Sequence, residues 1–250
     1  LWILDDRWKP DYDNYCLRVG DQVGLIYGFV YDGLYSPDEF FFDPTQSFLA
    51  VPNKGTVINN IYQDSNSGVA TLPGKIKFKD LDGDGQITES DRTVIGNAAP
   101  DFVGGWNNTF TYKGFDLTIF MNFVVGNDVF NMSTQRFIGP YLANQNTLEK
   151  MKNRFTLIDP STGKESSDLA RLAALNPHQY DGNALWNISG NNKTAISERS
   201  SYYLEDGSYL RLNTITLGYT LPKKLVQRAK ISNARVYCTL NNIHTFTDYT

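Results

Sequence analysis

Between Phe115 and Val125 the odd positions Phe115, Leu117, Ile119, Met121, Phe123 and Val125 are all apolar. Asp116, Thr118 and Asn122 hold even positions, and Phe120 and Val124 break the alternation. A period of two predicts a β-strand with one wet face, although an apolar-rich chain yields such runs by chance as well. Register decides more. The segment from Gly104 to Tyr112 reaches Phe115 through Lys113-Gly114, a two-residue hairpin loop with Gly where positive φ is wanted. Lys is not the ideal first loop residue and leaves room for a bulge. Closing the loop pairs Tyr112 with Phe115, Phe110 with Leu117, Asn108 with Ile119 and Trp106 with Met121. On the other face Thr111 meets Asp116, Thr109 meets Thr118 and Gly105 meets Asn122. One face is mostly apolar and the other mostly polar, and a one-residue slip would destroy the sorting.

The same pattern recurs near the end of the chain. From Ser208 to Leu221 it sets Ile215, Leu217, Tyr219 and Leu221 opposite Thr214, Thr216 and Thr220. From Ala234 to Phe246 it sets Ala234, Val236, Cys238 and Leu240 opposite Arg235, Tyr237, Thr239 and Asn241. Between them, residues 222–233 read as a polar turn with one helical turn, carrying Lys223, Lys224, Arg228 and Lys230. The organisation is a loop region over 1–103, a hairpin over 104–125, a long loop over 126–207 and strands over 208–250. Ten residues at about 3.3 Å each, tilted about 45°, span roughly 24 Å, near the apolar band of an outer-membrane barrel. Tight turns alternating with a long connection also suit such a barrel. Pattern alone fits a soluble β-sandwich with one wet face equally well.

Composition narrows the classes. The net charge is −4, which argues against a nucleic-acid partner, since that needs a basic face. Aromatics make up 14 %, nearly all Tyr and Phe, with 20 glycines, a profile of β-rich, loop-rich extracytoplasmic proteins. Cys16 and Cys238 form neither a CxxC pair nor a disulfide framework, and His178 and His244 are too few for a histidine metal cage. GxSxG, Walker and HExxH motifs are missing, so the protein is not expected to be an enzyme. No apolar run of about 18 residues occurs, which excludes a membrane helix but not a membrane barrel. Starting at Leu1, the chain reads as a piece of a longer protein.

The most specific short motif is Asp80-Leu-Asp-Gly-Asp-Gly-Gln-Ile-Thr-Glu-Ser-Asp91. Its carboxylates at positions 1, 3 and 5, Gly at 6, apolar residue at 8 and acid at 12 match an EF-hand loop, which wraps six to eight hard oxygens around calcium. Asp80, Asp82, Asp84 and Asp91 are the candidate side-chain ligands. Gln86 would give its carbonyl, and Thr88 would bind directly or through water. Asp at position 12 must come nearer than Glu to close the site. The flanks look extended rather than helical, so a structural ion of weak, extracellular-type affinity is expected, not a signalling switch; the alternative is a solvated acidic turn with a Gly kink and no ion.

The residues also carry a family resemblance. Lys79 to Ile87, Asp91-Arg-Thr-Val-Ile-Gly-Asn97 and Asn107 to Leu117 resemble the SusC/RagA family of TonB-dependent outer-membrane transporters. So do Arg18-Val-Gly, Tyr27-Gly-Phe-Val-Tyr-Asp-Gly33, Tyr209-Leu-Arg-Leu-Asn213, Leu217 to Lys224 and Asn241-Asn-Ile-His-Thr-Phe-Thr247. Residues 131–200 show no family motif, as suits a variable extracellular loop. The resemblance implies an all-β fold, a segment of an antiparallel transmembrane β-barrel of about 22 strands with long extracellular loops. It implies import of oligosaccharides or peptides, a SusD-like surface lipoprotein as lid, and coupling to TonB through an N-terminal part outside this chain. Leu117, Ile119, Met121 and Leu217 would face outer-membrane lipid, and Thr118, Asn122, Arg235 and Asn241 the lumen. Tyr112, Phe115 and Tyr219 would sit in the aromatic girdle at the periplasmic, short-turn side.

The long loop contains Tyr141, Tyr180, Trp186, Tyr202 and Tyr203, which could stack on sugars but more simply pack the loop. No substrate-binding residue is assigned. The rival reading is a secreted, calcium-stabilised β-sandwich that binds carbohydrate, and such a module would hide the apolar face against a second sheet. A dockerin-like adaptor would need a duplicated calcium loop, and only one occurs. A hydrolase lacks a carboxylate pair outside the loops.

Overall fold

The computed structural model describes residues 20–43, 50–61, 71–138, 146–166, 168–178, 185–186, 198–228 and 230–249. Cys16, Arg18, Tyr141 and Tyr180 lie outside the described residues. The chain divides into two compact units, one formed by residues 1–96 and 130–204, the other by 97–129 and 205–250.

The second unit is an antiparallel sheet of four strands, adjacent in chain order: β1 (Phe102–Tyr112), β2 (Phe115–Val125), β3 (Tyr209–Thr220) and β4 (Arg235–Thr247). The strands are 11, 11, 12 and 13 residues long. Between β1 and β2 the register is the one read from the turn, with Tyr112 opposite Phe115, Phe110 opposite Leu117 and Trp106 opposite Met121. Lys113 and Gly114 both take positive φ, 46° and 86°, so the turn is a tight two-residue loop without a bulge. Between β3 and β4, the Lys223–Arg228 segment forms a short α-helix whose Val226 is buried.

One feature of this sheet escapes simple alternation. β2 and β3 keep step from Phe115↔Tyr219 to Phe120↔Thr214 and then continue at Met121↔Leu212, leaving Asn213 as an extra residue. β4 carries one more, because Thr214 pairs with Asn241 and Leu212 with His244. Asn242 there has φ 53°, within the left-handed region that Asn tolerates better than most residues. The steps from β2 to β3 and from β3 to β4 each add a residue at the same level, a stacked pair of β-bulges, whereas β1 and β2 stay in step throughout. The bulge switches parity in β3, so Leu210 and Leu212 join the face of Ile215, Leu217 and Tyr219. Leu221, expected on that face, lies just beyond the strand.

The first unit is built differently. Short strand pairs join Leu25–Gly28 to Thr93–Asn97, Tyr31–Leu34 to Ile76–Phe78, and Phe40–Phe42 to Ala50–Pro52. Ile58–Asn59 and Gln86–Ile87 form a parallel pair. Short helices run over Met132–Phe137 and Leu169–Leu175. Their common core contains Phe29, Ile76, Phe78 and Ile87 together with Ile138, Met151, Leu185, Trp186 and Tyr203. Residues 1–103 and 126–207, separate loop regions by sequence pattern, both contribute to this one hydrophobic cluster.

Candidate functional site

The sheet has two chemically distinct faces. On the first, β1 and β2 place Trp106, Phe110, Tyr112, Phe115, Leu117, Ile119 and Met121. β3 and β4 continue this face with Ile215, Leu217, Tyr219, Val236, Cys238 and Leu240. Many of these side chains are uncovered: Trp106, Phe110, Tyr112, Leu217, Val236 and Leu240 are each more than half exposed. Phe115 and Tyr219 pack against each other across β2 and β3, with ring centroids 4.4 Å apart and planes tilted by 37°.

The opposite face is held by side-chain hydrogen bonds between neighbouring strands. Thr109 and Thr118 hydroxyls lie 3.2 Å apart, and those of Thr216 and Thr239 3.0 Å apart. Thr214 Oγ1 donates to Asn241 Oδ1 at 3.1 Å, and Asn213 Nδ2 to Asn122 Oδ1 at 3.3 Å. Arg211 Nε donates to Thr245 Oγ1 at 3.1 Å, with its guanidinium 5.0 Å from the Tyr209 ring centroid. Near the turn end Arg235 clamps Asp116 across β3, with Nε 3.0 Å from Oδ1. Gly218 leaves room for this bridge, since a Cβ there would lie 2.5 Å from Arg235 Nη2 and 2.6 Å from Asp116 Oδ1. Cross-strand pairs of this kind stabilise a sheet while keeping a hydroxyl- and amide-rich surface.

The acidic loop lies in the first unit. Asp80, Asp82 and Asp84 converge, each offering a carboxylate oxygen within 4.8 Å of the others. Asp80 accepts from the amides of Gly83 and Gly85 at 2.7 and 2.8 Å. The Gly85 amide is the main cause holding the Asp80 carboxyl below its ordinary pKa. Asp82 accepts from the Asp84 amide, which lowers its pKa, but desolvation and the charges of Asp84, Asp91 and Asp80 outweigh this and raise it. Gln86 enters the parallel strand pair, and Ile87, the apolar eighth position, is fully buried in the core. Thr88 accepts from the Ser90 amide at 3.2 Å. Asp91 is fully buried and accepts from the amides of Leu81 and Thr88, both at 2.8 Å. The acid at position 12 thus staples the loop to its own backbone, and the cluster comprises the first three acids. The flanks are the strands Ile76–Phe78 and Thr93–Asn97, extended as read from sequence.

Arg92 follows the loop and was not singled out in the sequence. Nearly buried, it pairs with Glu89 at 2.7 Å and with Glu198 at 2.8 Å, and stacks on Phe29 at 4.7 Å. Of the long-loop aromatics, Trp186 and Tyr203 are buried in the core and Tyr202 packs against them with edge contacts at 5.0 and 5.2 Å. Burial pushes the Tyr203 hydroxyl pKa up, as expected of a packing residue rather than one offered to a ligand.

No family model matches the chain. Over 93 % of its length it is 29 % identical to TonB-dependent receptor P3 of Formosa agariphila, of which it covers 18 %. TonB-dependent receptor P39 of the same organism is 27 % identical over 98 % of the chain, which covers 23 % of it. The chain therefore spans about a fifth of the length of these relatives. Among solved structures, the RagAB peptide transporter superposes on 99 % of the chain with a TM-score of 0.54 and 17 % identity, the chain covering 21 % of it. That likeness is one of fold: long antiparallel strands with open edges, as in a segment of a transporter barrel.

Proposed function

We propose that this chain, a segment of a SusC/RagA-like TonB-dependent receptor of the Gram-negative outer membrane, forms part of the wall and outer loops of a nutrient importer. The observation that carries the reading is the two-faced sheet. Its strands of 11 to 13 residues have the length that spans an outer-membrane apolar band when tilted. Leu117, Ile119, Met121 and Leu217 face lipid, while Thr118, Asn122, Arg235 and Asn241 line the transport path. Tyr112, Phe115 and Tyr219 form the girdle at the turn end. A soluble sandwich would bury Trp106, Phe110 and Leu240 against a second sheet, but they are more than half exposed.

The cargo is an oligosaccharide or a peptide. A SusD-like surface lipoprotein closes the barrel, and TonB acts on a part of the receptor outside this chain. The test is to express the complete gene, extract the outer membrane gently and identify what co-purifies by mass spectrometry. A stoichiometric surface lipoprotein supports the importer. Recovery as a lone protein in the soluble fraction overturns it and favours the carbohydrate-binding module.

Calcium belongs to the same reading as a structural ion. Asp80, Asp82 and Asp84 would hold it with the Gln86 carbonyl and Thr88, while Asp91 braces the loop from within. When bound, the ion offsets the mutual repulsion of the three carboxylates. In the full receptor, Asp82→Ala with Asp84→Ala is expected to raise protease cleavage near residues 80–91 to the level that chelator produces in the wild type. Identical cleavage of the wild type with and without chelator would discard the ion.

A further inference from the structure

Charge on the four-stranded unit is sorted along the strand axis. Lys113 lies in the β1–β2 turn, and Lys223, Lys224, Arg228 and Lys230 lie between β3 and β4. The two connections share one end of the sheet, because the Thr220 amide donates to Gly114 O at 2.8 Å and the Leu221 amide to Ala234 O at 2.9 Å. Residues 221–234 contain no Asp or Glu. The nearby Asp116 is already clamped by Arg235. None of these five cations has a carboxylate partner among the described residues. At the opposite strand ends stand Asp101, Asp128, Glu205, Asp206 and Asp248.

The cations are interleaved with uncovered apolar side chains. Leu225 and Ile231 are 55 % and 48 % exposed in the same connection. Tyr112 and Val236, at this end of the apolar face, are 70 % and 67 % exposed. Lys113 Nζ lies 5.2 Å from the Tyr112 ring centroid, leaning toward that face. A membrane interface asks for this combination, with apolar groups entering the acyl region and cations reaching headgroup phosphates. The apolar face ends on Tyr112 and Val236 at the same strand ends as these cations, which makes lipid its occupant.

We propose that the turn end of this sheet is a basic collar that binds acidic phospholipid headgroups of the adjoining leaflet. The inference rests on the barrel-wall reading. To test it, the full-length receptor is reconstituted with mixed phosphatidylglycerol and phosphatidylcholine, then extracted, and the retained lipids are counted by native mass spectrometry. Each basic residue near an acidic surface is worth about fivefold in binding. The wild type is expected to retain phosphatidylglycerol preferentially, and less so at about 0.5 M salt, where the screening length falls well below 10 Å. The variant Lys223→Gln/Lys224→Gln/Arg228→Gln/Lys230→Gln should lower the preference by about tenfold or more, and Lys113→Gln alone by about fivefold or less. Equal retention of both lipids by the wild type, or an unchanged preference in the quadruple variant, overturns the collar. If that variant does not assemble, Lys113→Gln and the salt series decide. A receptor washed from bilayers by carbonate refutes the barrel wall and the collar together. An inserted receptor without lipid preference refutes the collar alone.

Discussion

The two units handle apolar side chains in opposite ways. In residues 1–96 and 130–204, Phe29, Tyr35, Phe78, Trp186 and Tyr203 are turned inward to almost complete burial. In the sheet, Trp106, Phe110, Tyr112 and Leu217 are turned out, while Thr, Asn and a clamped Asp–Arg pair occupy the other face. On the barrel-wall reading, one chain follows two solvent rules, with water as the reference for the first unit and hydrocarbon for the sheet. On that reading, exposure that would be a liability in water is what a lipid-facing wall requires.

The sharpest way to break this comparison is to place or strand a charge in each unit. Glu198→Ala leaves the nearly buried Arg92 with Glu89 as its remaining carboxylate. Stranding one charge of a buried pair costs about 3–5 kcal/mol, and the half-exposed Glu89 that stays in contact keeps this loss near the low end. Hydrogen exchange should rise at residues 76–87 with β1–β4 unchanged, and equal loosening of the sheet would mean that the units are not independent. Ile119→Arg, near the middle of β2, should cost about 2–4 kcal/mol and impair assembly. Thr118→Arg, one residue away on the polar face, should assemble normally by heat-modifiable gel mobility. Equal tolerance of both would remove the lipid-facing assignment.

These residues also show what could be read from sequence. The β1–β2 register was legible because Lys113-Gly114 fixes the pairing and every residue after it follows. The parity switch at Asn213 was not, since a bulge is defined by the neighbouring strand and leaves no period of its own. The three-acid cluster was legible from spacing. The inward turn of Asp91 was not, because spacing cannot say whether a carboxylate meets an ion or the amides of Leu81 and Thr88. Arg92 and Glu198 are 106 residues apart, and no local pattern links them. The shared core of the two loop regions was hidden for the same reason.

A smaller effect tests the polar face. Gly218→Ala forces a methyl group against the Asp116–Arg235 bridge and should cost about 1 kcal/mol, the low end for overpacking. In an Asp116→Ala background the same change should cost close to nothing, because the carboxylate is gone and the Arg235 guanidinium, no longer clamped, can swing aside from the new methyl group. Denaturant midpoints of the wild type, the two single variants and the double variant complete the cycle. An undiminished penalty in that background would mean that Gly218 is needed for another reason.

The smallest effect separates a water-facing Asp–Arg pair in the first unit from the one on the sheet. Arg171 binds Asp159 through Nε and Nη2 at 2.7 and 3.0 Å, and Ser161 adds its amide at 2.8 Å and its hydroxyl at 2.7 Å. Arg171 first, then the Ser161 amide and hydroxyl, hold the Asp159 carboxyl well below the ordinary carboxylate range. A depressed folded-state pKa contributes stability that is fully present above the unfolded value of about 3.9 and is lost as pH falls through the folded value. The hairpin of Ile158–Asp159 with Lys164–Glu165 should therefore resist pepsin at pH near 4 and open only toward pH 2. Asp159→Asn should be cut at both, since an amide cannot keep the charged clamp. Cleavage of the wild type already at pH 4 would show that the clamp contributes nothing to holding this hairpin. The first unit would then rest on its apolar core alone.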